Sequence, residues 1–217
     1  MLELAGGVEI GLSDKSDGIM KVLDERRADE VRGNRERFLS EMGLGMDEVG
    51  FVHVNYVGVE DFCEFARMSE RSRLSLDREA VRCDGLMTEE RSVGLFLPLA
   101  DCLGVVMFDE ESGKLMMVHA GRHTLEQDGV FAAVEFMGVE ASGVRAWLSP
   151  AAGKESYQVW KLGNVGLQEA ATMQLVRAGV LLQNIEASEI DTTADEDYWS
   201  HSRGDEGERF AIVAVRR

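Results

Sequence analysis

Along residues 103–119, LGVVMFDEESGKLMMVH, two apolar runs flank a polar turn, and the pattern predicts a β-hairpin. Other stretches carry a different period. In ADEVRGNRERFLSEMG (28–43), Val31, Phe38, Leu39 and Met42 fall at helical spacing and Gly43 closes the run. HTLEQDGVFAAVEFMG (123–138) reads as one helix through Val130, Phe131, Val134 and Met137, and NVGLQEAATMQLVRAG (164–179) as another, closed by Gly179. Strands are expected over VRAWL (144–148) and FAIVAV (210–215), and a short strand with a Gly turn in LELAGGVEIGL (2–12). EVGFVHVNYVGVED (48–61) is rich in Val and aromatics and reads as a strand. Alternation there puts Val52, Val54 and Tyr56 on one face and Phe51, His53, Asn55 and Val57 on the other. Leu95, Leu97 and Leu99 alternate before the hairpin, with Pro98 predicting a sheet edge or strand end. Residues 62–83 are polar and read as a helix and loop. Strands and helices mix without a strict βαβ order, which predicts an α+β fold.

The chain has 217 residues, suited to one domain over 1–217, and its 45% hydrophobic content allows a sizeable core. No apolar run approaches the roughly 18 residues of a membrane helix, and the N-terminus lacks the basic and apolar regions of a secretory signal. A net charge of −17 repels phosphate backbones, so nucleic acids and anionic membranes are poor partners. A small phosphorylated substrate held by a local Arg or Lys cluster stays compatible with it. Three cysteines, Cys63, Cys83 and Cys102, make no disulfide framework and predict a reducing, cytoplasmic setting.

The hairpin raises a chemical question, because it carries one of the three cysteines near one end and one of the four histidines near the other. If Asp109 faces Lys114 across a four-residue loop, His119 faces Gly104 and Cys102 faces Gly121. Cys102 and His119 then share a face as diagonal neighbours, about 7–8 Å apart on the backbone. A loop one residue longer or shorter would put them on opposite faces. His53 is a natural third donor. A thiolate and two imidazoles suit zinc, and three protein ligands leave a fourth position for water or substrate. The competing reading is a buried thiol and two hydrogen-bonded core histidines.

ADCLGV followed by VHAG resembles the ADC-x-P-V and HAGWRG signatures of the laccase-domain family, also called multicopper polyphenol oxidoreductase, purine nucleoside phosphorylase or peptidoglycan editing factor. GGVEIG, GNRERFLSEMGL, FVHVNYVGVED, DGLMTE, AWLSPAAGKESYQV and SHSRGDEGERFA are similar to further family motifs, in family order and over nearly the whole chain. The resemblance implies an α+β fold with a mixed β-sheet core flanked by helices. It implies a metal site at His53, Cys102 and His119, taking zinc, with copper as the less favoured alternative. It implies phosphorolysis of adenosine, inosine or methylthioadenosine and deamination of adenosine, with purine nucleoside and phosphate as small-molecule partners. A hydrolase editing a peptidoglycan precursor and a degenerate nucleoside-binding homologue without turnover are the alternatives.

The segments around the ligands depart from the family. QVHG is FVHV here, HAGWRG is HAGRHT, and the Pro after ADC-x is Gly104. Either Arg122 and His123 stand at the Trp and Arg positions, or the Trp is deleted and Arg122 replaces the Arg. Arg122 and His123, at an expected helix start, and Arg203, matching an Arg of the C-terminal motif, are candidate substrate-binding residues for phosphate. Asp101 and Asp84 are candidates to orient a ligand histidine or, alternatively, turn carboxylates. His201 reads as an exposed loop residue, and Cys63 and Cys83 have no assigned role.

Overall fold

The computed structural model describes residues 2–4, 6–21, 24–54, 64–68, 83–205 and 207–217. Asn55, Tyr56, Val57, Cys63 and most of the helix expected over 62–83 lie outside them. The N-terminal segment forms a hairpin, β1 (Leu2–Leu4) and β2 (Val8–Leu12), turned by Gly6 and Gly7, both at positive φ. Helix α1 spans Ala28–Glu41. Then follow β3 (Val49–Phe51), β4 (Phe65–Arg67), β5 (Gly85–Thr88) and β6 (Gly94–Leu99). The expected hairpin is β7 (Leu103–Asp109) and β8 (Lys114–Ala120). Helices α2 (Arg122–Glu126) and α3 (Gly129–Met137) precede β9 (Val144–Leu148). Helix α4 (Leu167–Arg177), β10 (Ile185–Ala187) and β11 (Phe210–Arg216) complete the order.

The strands make two mixed sheets. One has the order β1-β2-β11-β6-β3 and the other β10-β9-β7-β8-β5-β4. Side-chain alternation sorts each strand between two layers. Val106, Phe108, Leu115 and Met117 of the second sheet pack against Ile10, Leu97, Phe210 and Ile212 of the first. Their neighbours Val105, Met107, Met116 and Val118 pack outward on α2, α3 and α4. On the far side of the first sheet, Phe96, Val213 and Val215 meet Phe38, Leu39 and Met42 of α1. Helices thus flank a double-sheet core, and a side chain such as Phe108, fully buried between the sheets, contributes roughly 2 kcal/mol. Among the described residues, no helix is long and apolar enough to cross a membrane.

One local expectation is corrected and another is narrowed. The helix expected over 123–138 is two helices, because Asp128 takes a left-handed conformation, φ 58°, and breaks the ladder. Pro98, next to last in β6 (Gly94–Leu99), marks a strand end and not a sheet edge, for β6 lies between β11 and β3. Its partner Ala211 turns its own N–H to Ser13 Oγ, and β3 ends at Phe51 opposite Phe96, so no neighbouring strand asks Pro98 for a hydrogen bond.

Candidate active site

The hairpin register is the expected one. Asp109 pairs with Lys114 and Gly104 with His119, leaving Cys102 just before β7 and Gly121 just after β8. A methyl group placed on Gly121 would lie 3.3 Å from Cys102 Sγ and 3.2 Å from His119 Cε1, so the two side chains converge over that glycine. They line a pocket of about 180 Å³ together with Pro98, Asp101, Tyr157, His201, Ser202 and Arg209.

Cys102 is presented by a tight corner between β6 and β7. Asp101 sits there at φ 75°, a left-handed conformation that costs most residues about 1 kcal/mol or more. The corner is held from three sides. Thr192 Oγ1 donates to Asp101 Oδ1 at 2.9 Å, the Ser202 N–H to Oδ2 at 2.6 Å, and the Ala152 N–H to the Asp101 carbonyl at 2.9 Å. Asp101 therefore pins the loops that complete the pocket, and its carboxylate serves them rather than a ligand histidine.

Burial lowers the His119 pKa to about 4, with Lys21 and Arg209 adding repulsion. Burial, reinforced by Asp101, raises the Cys102 thiol to about 11, against the pull of Arg209, Arg122 and Lys21. At neutral pH the pair is an uncharged thiol beside an uncharged imidazole. The Lys21 pKa is itself lowered by burial and by Arg209 and Arg35. Its segment is tied to α1, where Arg35 donates twice to the Met20 carbonyl, at 2.9 and 2.7 Å, and Asn34 to that of Ile19. Three cations thus act on Cys102 inside a chain whose net charge is −17. Of the three, Arg209 is the one in the pocket lining, where it is placed to meet an anion although the surface as a whole repels them.

The remaining candidates are dispersed. His53 is outside the pocket lining, but its surroundings are informative. Val52 N–H donates to Phe96 O at 2.9 Å, and continuing the β3–β6 register by two residues sets His53 beside Pro98, a lining residue. The His53 carbonyl accepts the Cys83 N–H at 2.8 Å, and the neighbouring Asp84 carbonyl accepts the His119 N–H at 2.7 Å. Arg122 does begin α2 directly after Gly121, so the helix runs on from the hairpin with Arg122 and His123 as its first two residues. Arg122 turns away from the pocket, donating from Nε to Gln158 O at 2.8 Å and stacking between Tyr157 and Trp160. His123 is half-buried and outside the lining. Arg203 commits its guanidinium to the carbonyls of Thr192, Asp195 and Tyr198, which shapes the loop bearing His201 and Ser202. His201 is exposed, as expected, and still reaches the pocket rim. Cys83 is buried, its thiol pushed up to about 12 by burial and Asp84. Tyr157 and Arg209 were not singled out by sequence, although both lie inside the quoted stretches AWLSPAAGKESYQV and SHSRGDEGERFA.

Residues 3–164 match the family described as multi-copper polyphenol oxidoreductase laccase. The chain belongs to that family. A purine nucleoside phosphorylase of Corynebacterium glutamicum is 29% identical, the match covering 84% of this chain and 80% of the relative. Another purine nucleoside phosphorylase, from Mycobacterium bovis, is 31% identical over 96% of this chain and 88% of its own length. Among solved structures, a Bacillus licheniformis hypothetical protein, YfiH, superposes with a TM-score of 0.86 at 19% identity, covering 97% of this chain and 93% of its own. YlmD from Geobacillus stearothermophilus gives 0.85 at 22%, covering 99% and 93%. These likenesses agree with the α+β double-sheet architecture.

The family's name is that of a metal enzyme, and the donor chemistry at the pocket fits a metal in part. Sulfur and a neutral imidazole nitrogen are zinc-type donors, and binding would displace the thiol proton. Among the described residues, no three His, Cys, Asp or Glu side chains gather closely enough to hold an ion. Cys102 and His119 supply two donors, and His53, two residues beyond β3, falls beside the lining residue Pro98 when the β3–β6 register is continued. Gly121→Ala tests the pair directly. Both contacts of the added methyl are tight, so Cys102 and His119 must spread by a few tenths of an ångström. Metal affinity, read by competition with a zinc chelator, is expected to fall on the order of tenfold. The urea midpoint should hardly move, and unchanged affinity would separate the pair from metal binding.

The low His119 pKa has a stability consequence in the metal-free protein. Unfolded, the imidazole takes a proton near the ordinary histidine value of 6.5, whereas in the fold it does so only near 4. The unfolded state therefore binds more protons between those values. The His119 contribution is complete above about 6.5 and shrinks as pH falls to about 4, below which the loss stops. Urea unfolding of chelator-treated protein is expected to show about 3 kcal/mol of this loss across the window, and His119→Gln a flatter profile.

Proposed function

We propose that the protein is a zinc-dependent purine nucleoside phosphorylase acting in the cytoplasm on adenosine, inosine or methylthioadenosine. The observation that carries the reading is the convergence of Cys102 and His119 in a pocket where Arg209 is part of the wall and Lys21 and Arg122 add positive charge. The similarity to purine nucleoside phosphorylases of Corynebacterium glutamicum and Mycobacterium bovis supports a purine nucleoside as the substrate class.

In this reading His53, Cys102 and His119 hold the ion, with His53 completing the set from the strand beside Pro98. When bound, the ion supplies Lewis acidity. Arg209, which lines the pocket and gives one N–H to the Glu208 carbonyl at 2.6 Å, holds phosphate, a role its guanidinium suits better than that of Arg203, which is bonded to three carbonyls. Ser202 and His201 close the rim. The same pocket would serve deamination of adenosine with water in the place of phosphate.

The test is made on protein purified without chelators or an affinity metal. About one zinc per chain by elemental mass spectrometry, with release of free base that depends on phosphate, is the expected result. Base release indifferent to phosphate, or no turnover of any of the three nucleosides by zinc-loaded protein, would overturn the reading.

A further inference from the structure

Tyr157 lines the pocket with Cys102, His119 and Arg209, and its position is unusually well fixed. Its N–H bonds to the Gly153 carbonyl at 2.9 Å, and the Gly153 N–H is held by Asp191 Oδ1 at 2.8 Å. A side chain at Gly153 would collide with Asp191 Oδ2, so the turn admits only glycine in this packing. The Arg122 guanidinium lies 4.2 Å from the Tyr157 ring centre and 3.8 Å from that of Trp160, which clamps the ring from its outer side. The phenol of Tyr157, a lining residue, carries one proton that it can donate into the pocket.

Resting on the phosphorolysis reading above, we propose that Tyr157 is a catalytic residue whose hydroxyl protonates the departing purine, and that Arg122 is the positioning residue that holds it. Phosphorolysis breaks the C1′–N9 bond while a phosphate oxygen bonds to C1′. The bonding pair passes into the purine imidazole ring, where N7 takes the Tyr157 proton. Hydrogen phosphate loses its own proton on becoming the sugar ester, and that proton returns to the Tyr157 oxygen. The products are a neutral base and a pentose 1-phosphate, with no outside reagent. Arg209 carries the phosphate, the Cys102–His119 pair is given to the ion, and Ser202 and the exposed His201 stand at the rim, so the leaving group falls to Tyr157, whose ring Arg122 holds in place.

The experiment compares inosine and adenosine with their 7-methyl counterparts, whose bases are already quaternised at N7 and leave without a proton. In Tyr157→Phe, kcat on the unmethylated nucleosides is expected to fall about 100-fold or more, with KM little changed. On the 7-methyl substrates the variant should keep wild-type kcat within a few-fold. Equal losses on both sets, or no loss on either, would overturn the assignment while leaving the phosphorylase reading intact. A wild-type protein that cleaves neither set would overturn that reading and this proposal with it. Should Tyr157→Phe not fold, Arg122→Gln gives the same comparison. It should lose more on the unmethylated than on the methylated nucleosides, Arg122→Lys should recover part of the loss, and an equal loss on both sets counts against the proposal.

Discussion

Cys102→Ala is expected to abolish metal retention and reduce kcat/KM more than about 100-fold, while lowering stability by only about 1 kcal/mol. The two halves of this expectation come from different features of the site. For packing, Cys102 is a small, half-buried side chain at a strand corner, and alanine leaves a gap of one sulfur atom. For chemistry, it is the only sulfur in the pocket lining among the described residues, and Arg209, Arg122 and Lys21 pull against the burial that raises its thiol, toward the thiolate that a metal requires. Serine at the same position keeps the shape but offers a harder, less acidic donor, so it should resemble alanine in metal content. Elemental analysis, urea unfolding and phosphate-dependent base release on the same preparations check all three quantities. A variant that turns over normally would make Cys102 an ordinary buried thiol, the alternative that the sequence also allowed.

The sequence made the hairpin readable because its polar turn is short and its strands are long. Once Asp109 is opposite Lys114, the side-chain period of two forces Cys102 and His119 to one face. The double sheet was not readable for the converse reason. All seven residues of β7 are buried, so no polar alternation marks which side faces the other sheet and which faces α3 and α4. The break at Asp128 was hidden because apolar residues continue at helical spacing across it, while the signal, a left-handed residue before Gly129, is conformational. Arg122 shows how a motif position can mislead. A cation at a helix start suggested phosphate, but two aromatic rings from the 157–160 loop stand close enough to take the guanidinium first. Tyr157 and Arg209 are brought to Cys102 from 55 and 107 residues away along the numbering, a closure that no local pattern encodes.

Asp101→Ala is expected to destabilise the fold by about 3 kcal/mol and to raise KM for phosphate and nucleoside together. The carboxylate is buried, and its loss leaves the Thr192 hydroxyl and the Ser202 N–H without their acceptors. Each such group costs roughly 1–3 kcal/mol when water cannot replace the partner. Alanine also bears the left-handed φ of 75° worse than aspartate does, since Asp and Asn side chains ease that conformation locally. Function suffers through geometry. The Asp101 carboxylate ties the loop around Ser202 and His201 to the corner that presents Cys102, so its release loosens that part of the pocket wall. Asp101→Asn separates the contributions. Its amide tolerates the left-handed backbone, accepts from Ser202 N–H through Oδ1 and donates to Thr192 Oγ1 through Nδ2, so most of the stability should return. It also removes the negative charge that raises the Cys102 thiol, which should ease thiolate formation and favour metal uptake. Asp101→Gly relieves the backbone and restores no acceptor, so it should unfold close to alanine if the hydrogen bonds dominate and well above it if strain does. Urea unfolding of the three variants at neutral pH decides between these, and an alanine variant within about 0.5 kcal/mol of the parent would show that the corner holds without its carboxylate.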